Sequence, residues 1–437
     1  MSKSQKQRFL IVSLILVLVG AIGFSVYQEL QPKVIRLGVF AGSNWDVPNG
    51  ASYKVIDDVI ERYEKKHPGV KVVYESGILK DDYSAWLAAK VLQGDEPDVF
   101  MILGDDFNTL SELGVLQDMD VMIQKDEQFH KDAYYESALL AGAYQGTQYA
   151  LPYESNPMLM FVNRTLLEKE GISIPKSDWT LEDFYRICTQ VTKGTNDNGV
   201  VDQYGVYNYS WFDAVYSYGA SLFNSEGTES YFGSEGVNQA LRFIQKLDGL
   251  TGGYAVSAAD FDDGHVAFTP MPLSEYRAYN PYPWRVKKYA GFEWDCIRMP
   301  SVLNRDSKTQ MSTMLMSISN RSKHKALAWE LLKDYVYDQD TQYELLENSH
   351  GISPLKEVTQ SDEALALLQD NAMDDYEIDM KILNEVMENA MNSSKFRKYQ
   401  GAMEMADYQI KQIINQHESI DTGLLSLQRK INKYLKE

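Results

Sequence analysis

The sequence predicts an α/β protein built on a doubly wound, mostly parallel sheet and long enough for two or three domains. Three observations point there. The chain has 437 residues, which at roughly 100 to 200 residues per domain exceeds a single module. From position 34 onward, short apolar runs alternate with amphipathic stretches in the strand-helix-strand order of a parallel sheet. Apolar residues make up 44% and charged residues 24%, enough for a packed core and too apolar for disorder.

Taken in order, residues 34–40 read as a short apolar strand, and Val55, Ile56, Val59, Ile60 and Tyr63 follow at helical spacing until Pro68-Gly69 ends the helix. Residues 70–74 are a second strand, 81–92 a second helix and 98–103 a third strand. In such a sheet, ligands lie beyond the carboxyl ends of the strands. The loops at 42–49, 76–80 and 104–107 are therefore the places to look. A second α/β region follows, with extended pieces at 149–152 and 159–163. Thr180 opens a helix with Glu182 and Asp183 in its first turn, and Val237, Ala240, Leu241, Ile244 and Leu247 mark another. Strands are expected at 266–269 and 311–318, then helices at 323–337 and from 396 to the end.

Composition removes several functions. Lys and Arg total 42 against 62 Asp and Glu, a net charge of -20 with no basic stripe, which excludes nucleic-acid binding because phosphate neutralisation needs clustered cations. Cys188 and Cys296 are the only cysteines and stand in no CxxC. The six histidines follow no metal-ligand spacing. GxSxG, GxxxxGK[ST] and GxGxxG do not occur, and a calcium-loop fragment at 196–199 lacks acidic ligands at its first and twelfth positions. Asp105 and Glu154 could form a glycosidase pair only in the sense that any acidic protein offers such pairs. No enzyme, cofactor or metal site is expected.

The N-terminus carries an export signal. Lys3, Lys6 and Arg8 precede an uncharged stretch at 9–26, which as a helix covers about 27 Å, close to the hydrocarbon thickness of a bilayer. It reads as an uncleaved anchor with its basic end in the cytoplasm; Ala21-Ile22-Gly23 leaves cleavage as the alternative. The rest of the chain is then extracellular, at the outer face of the membrane.

A series of short motifs resembles a known family. His67-Pro68-Gly69-Val70, Gly94-Asp95-Glu96-Pro97-Asp98-Val99, Leu113-Gly114-Val115-Leu116 and Tyr149-Ala150-Leu151-Pro152 come first. Trp179-Thr180-Leu181-Glu182-Asp183-Phe184, Phe261-Asp262-Asp263-Gly264-His265-Val266, Ala326-Leu327-Ala328-Trp329-Glu330 and Gly351-Ile352-Ser353-Pro354 follow. In this order they resemble the extracellular solute-binding receptors of ABC importers, carbohydrate class, maltodextrin-binding type. The resemblance implies a periplasmic-binding-protein-like fold of two lobes, 34–149 with 270–313 and 150–269 with 314–437, joined by a multi-strand hinge near 149–152, 267–271 and 313–318. Cys188 and Cys296 then fall on different lobes and are expected to be free. Relatives from bacteria with one membrane usually carry a lipidated cysteine after the apolar run. None occurs here before Cys188, so tethering falls to the helix, with 27–33 as a short linker.

Sugars offer flat C–H faces and a rim of hydroxyls, so their sites need aromatic platforms beside carboxylates or amides. Trp45 and Asp46 lie in the first strand-to-helix loop, unless the Trp is incidental to an exposed turn. Asp105 and Asp106 follow the third strand, where the family also places ligand-contacting acids; the competing role is helix capping. Glu154 matches a family cleft carboxylate. Tyr209 and Trp211 stand out in the aromatic-rich segment 204–223, and Tyr276 and Trp284 in a second cluster, while Trp294 reads as core and His350 as structural. The expected function is a monomeric receptor that passes a sugar to permease subunits. The same acids would also suit a polyamine, and an anchored lobe pair would also suit a sensor subunit for a membrane kinase.

Overall fold

The structure is a computed structural model that describes residues 32–47, 53–195, 200–279, 292–302, 308–370, 379–416 and 419–437. The apolar stretch 9–26, the fragment 196–199 and Trp284 lie outside the described residues.

Strand β1 (Lys33–Gly38) buries Ile35 and Leu37 and pairs in parallel with β2 (Val70–Tyr74), Ile35 opposite Val72, and with β3 (Val99–Ile102), Leu37 opposite Val99. The helix Lys54–Lys66 connects β1 to β2 with Val55, Val59 and Tyr63 inward. The helix Lys80–Gln93 connects β2 to β3 and ends on Gly94 in the left-handed conformation that glycine adopts without strain. The parallel βαβαβ start is as expected.

After the short hairpin β4 (Ala143–Tyr144) and β5 (Thr147–Gln148), the chain enters β6 (Leu151–Asn163), a 13-residue strand buried almost throughout. Its first half pairs antiparallel with β10 (Met311–Ile318), which in turn lies antiparallel to β3. Its second half pairs antiparallel with β8 (Val266–Pro272) and β9 (Trp294–Ile297), and β7 (Tyr204–Val206) adds in parallel to β8. The result is one eight-stranded path in the order β2-β1-β3-β10-β6-β8-β7, with β9 also on β6. It is mixed rather than mostly parallel, because β8 and β10 both run back against β6.

Three apolar clusters cover this sheet. Ile35, Val59, Phe100 and Tyr153 pack with Met316 of β10 and Leu332 of the helix Lys325–Val336. Val162, Phe184, Leu241 and Phe268 pack with Ile410 and Leu427 of the two closing helices, Tyr399–Asn415 and Ile420–Lys436. A smaller cluster holds Tyr135, Phe161, Tyr276 and Leu383 between them. Most of the apolar residues between 314 and 358 pack with β1–β3, while Leu346 and Ile352 join the third cluster. β9 brings Cys296 opposite Phe161 on β6, in the third cluster, while Cys188 packs in the second. Both thiols are free and buried, and burial pushes both upward from the ordinary thiol value.

Local signals are met where chemistry is short-range. Thr180 caps the helix Leu181–Val191 reciprocally with Asp183, each accepting the other's backbone N–H at 3.1 Å. Ser210 with Asp213 and Ser257 with Asp260 do the same.

Candidate functional site

Beyond the carboxyl ends of β1 and β3 lies a cavity of about 500 Å³. Its floor is the middle of the sheet, where Asn156 and Met158 of β6 meet Ser312 and Thr313 of β10. One wall is the loop Asn44-Trp45-Asp46 with Lys80, Asp105 and Asn108. The other is the segment from Asn392 to Gln400 with Ser274 and Glu275. The cavity therefore touches residues from both halves of β6.

Trp45 is 8% exposed, so its ring is half wall and half core. Asp46 is solvated and forms an ion pair with Lys80 at 2.8 Å. Asp105 is exposed at the start of the helix Gly104–Glu112, and neither it nor Asp106 caps that helix through its side chain. Asp106 turns away to accept a hydrogen bond from the Ser84 hydroxyl at 2.6 Å, and burial raises its carboxyl. It does not line the cavity.

Glu154 is also outside the cavity, one layer behind it. Only 1% exposed, its carboxylate accepts from Asn44 Nδ2 at 2.6 Å and from the Gly351 N–H at 2.7 Å, and the Trp45 indole N–H lies beside it without completing a good hydrogen bond. Gly351 is required there, because a Cβ would stand 2.5 Å from Glu154 Oε1 and 2.6 Å from Trp45 Nε1. Burial raises the Glu154 carboxyl above its ordinary value of 4.5. The guanidinium of Arg277, itself buried and lowered to about 10, donates to the carbonyls of Gly351 and Leu346 and adds a compensating positive charge. Burial and Arg277 together push His350 down to about 4. Glu154 thus braces the Trp45 loop from behind.

The remaining candidates are not brought to this cavity. Tyr209 is buried and its hydroxyl bonds to Ser217 Oγ at 2.9 Å. Trp211 packs in the second cluster and donates its indole N–H to Asp407 at 3.1 Å. Tyr276 meets Phe161 edge-on in the third cluster. None of the three lines the cavity; each ring is instead held within an apolar cluster. Trp284 lies outside the described residues.

Several lining residues carry no sequence signal that singled them out: Asn108, Asn156, Ser312, Thr313, Lys395 and Tyr399. Asn156 is a polar residue in a buried strand, satisfied by Ser274 Oγ and N at 2.9 Å each, and a polar side chain at such a position was the available clue. Tyr399 and Lys395 come from a segment separated from β1 by most of the chain, and only the fold brings them together.

Residues 58–372 match the model of the bacterial extracellular solute-binding protein family. The chain belongs to that family. Its members are receptors and not enzymes. Binding proteins of Brucella abortus and Brucella suis are 22% identical over 321 residues, covering 70% of this chain and 74% of theirs. Among solved structures, the sugar-binding protein MalE of Xanthomonas citri is similar with a TM-score of 0.76 at 15% identity, over 92% of this chain and 98% of that one. The ABC substrate-binding protein Lmo0181 of Listeria monocytogenes, solved with cycloalternan, gives 0.70 at 19% identity over 93% and 100%. These likenesses establish the periplasmic-binding-protein-like α/β fold of this solute-binding protein.

Proposed function

We propose that the chain is the extracellular receptor of an ABC importer and captures a carbohydrate in the cavity between two lobes. The observation that carries this reading is the lining itself: Trp45 and Tyr399 offer ring surface, while Asp105, Asn108, Ser312 and Thr313 offer hydroxyl partners, at the carboxyl ends of β1 and β3. Solved structures of similar fold, at low identity, hold sugars. One lobe gathers β1–β3, β10 and the helices between positions 54 and 125 and between 325 and 359. The other gathers the second half of β6, β7–β9 and the two closing helices. β6, β8 and β10 serve as the hinge, and ligand touching both lobes stabilises the closed state by its greater affinity for it.

Trp45, Asp46 and Asp105 are the ligand contacts retained from the sequence, Glu154 a brace, and Tyr209, Trp211 and Tyr276 core. A polyamine fits less well, because Lys395 places a cation in the same cavity. Delivery to permease subunits and tethering at the outer face of the membrane by residues 9–26 complete the proposal; among the described residues no helix is long and apolar enough to cross a membrane. A thermal-shift screen with mono- and oligosaccharides tests it: at 100 times its dissociation constant a ligand adds about 2.7 kcal/mol. Stabilisation by spermidine and by no sugar would overturn it.

A further inference from the structure

Lys395 is an unusual occupant of the cavity. It lies in the segment that closes the second wall, and Asn108 on the opposite element holds that segment in place, donating through Nδ2 to the carbonyls of both neighbours, Ser394 and Phe396, at 3.1 Å each. The Lys395 ammonium lies over the Phe107 ring, Nζ 4.9 Å from its centroid. Lys395 is one of the residues that line the cavity. No carboxylate among the described residues forms an ion pair with it, although acids stand nearby in sequence and space: Arg397 takes up Glu112 at 3.8 Å and Lys80 takes up Asp46. In the same cavity Asn108 Oδ1 is buried and has no hydrogen-bond partner among the described residues. A fixed, desolvated cation without a counter-charge is costly, and the ring face offsets only part of that cost.

We propose that Lys395 is the anchor for a carboxylate on the solute, so that the preferred ligand is an acidic saccharide of the uronic-acid type. This deepens the carbohydrate reading and rests on it. The carboxylate completes the ion pair that the protein leaves open, a sugar hydroxyl beside it donates to Asn108 Oδ1, and the acids of the cavity remain for hydroxyls farther along the solute. Burial has already pushed the Lys395 ammonium down to about 8. The titratable and charged groups that line the cavity with it are Asp46 and Lys80 on the first wall, Asp105 on the helix Gly104–Glu112, Glu275 on the helix Leu273–Tyr279, and Arg397 and Tyr399 on its own segment. Preference for the acidic ligand should therefore fade as pH rises from 7 past 8, as the ammonium loses its proton.

The test is a calorimetric titration of the full chain with matched pairs that differ only in carboxylate against hydroxymethyl: glucuronate and glucose, galacturonate and galactose, α-1,4-digalacturonate and α-1,4-galactobiose. In at least one pair the acidic member should bind about ten-fold tighter or more, the scale of one charge-assisted hydrogen bond. Lys395→Met, which keeps an unbranched chain beside Phe107 but removes the charge, should erase that difference, and Lys395→Arg should restore it. The proposal fails if the neutral members bind as well as the acidic ones, or if Lys395→Met weakens both members equally, as it would were Lys395 only balancing Asp105. In those cases the carbohydrate reading stands. If no sugar binds and spermidine does, both fall together.

Discussion

At the scale of single residues, burial decides roles that residue type leaves open. Glu154 shares its chemistry with Asp105, yet one stands behind the wall and the other on it. Glu154→Gln puts an amide NH₂ against the Asn44 amide or the Gly351 N–H, both donors, and leaves Arg277 without its compensating charge. It should cost about 1 to 3 kcal/mol in thermal or urea unfolding. The pH dependence has a definite sign. A carboxyl raised in the folded state contributes stability that is complete below the ordinary value of 4.5 and lost as pH rises through the raised one. The variant should therefore lose that downward slope above pH 4.5. Lys395 has the opposite pH dependence: lowered to about 8 from 10.5 in the folded state, it holds fewer protons between those values than in the unfolded chain. Its penalty is full below pH 8 and is relieved between 8 and 10.5. Stability of the wild type relative to Lys395→Met should rise across that window, and a flat difference would deny the desolvated ammonium. Trp45 and Asp105 were legible as cavity residues because strand-end loops can be located from pattern alone. Trp211 was not separable from them, since an aromatic near an acid looks the same whether its N–H meets ligand or, as here, Asp407.

At the scale of elements, short-range chemistry was the readable part. The Thr180 cap was visible from Thr180, Glu182 and Asp183, and Thr180→Ala should cost about 1 kcal/mol with no effect on solute affinity. Trp211→Phe keeps most of the ring and loses the bond to Asp407. It should lower stability by about 1 kcal/mol and leave affinity unchanged, and a ten-fold loss of affinity would put Trp211 back in the site. β6 was read as two extended pieces because Pro152 and Pro157 interrupt the pattern, and proline within a run normally argues against a central strand. The structure accommodates Pro152 where β10 shifts register between Met314 and Leu315, and Pro157 opposite Met311 at the end of the paired stretch. Antiparallel pairing of β8 and β10 with β6 was likewise out of reach, because strand direction depends on the path of the chain and not on the residues within a strand.

At the scale of the whole molecule, the family and the α/β fold were legible from motifs spread along the chain. Most apolar residues between 314 and 358 pack with β1–β3 and the last helices pack with the second half of β6, contacts between segments far apart in sequence that no local pattern displays. Such contacts also build the cavity, since Trp45, Thr313 and Tyr399 reach it from three separate stretches. The most direct measurement of the central claim is equilibrium binding of saccharides and spermidine to the full chain and to Asp105→Asn, at low and high salt. The account predicts saturable one-to-one binding of a saccharide, weakened modestly by the substitution, because an amide still accepts from a hydroxyl. Saccharide affinity that ignores Asp105→Asn, with spermidine binding that collapses in both the variant and high salt, would contradict it.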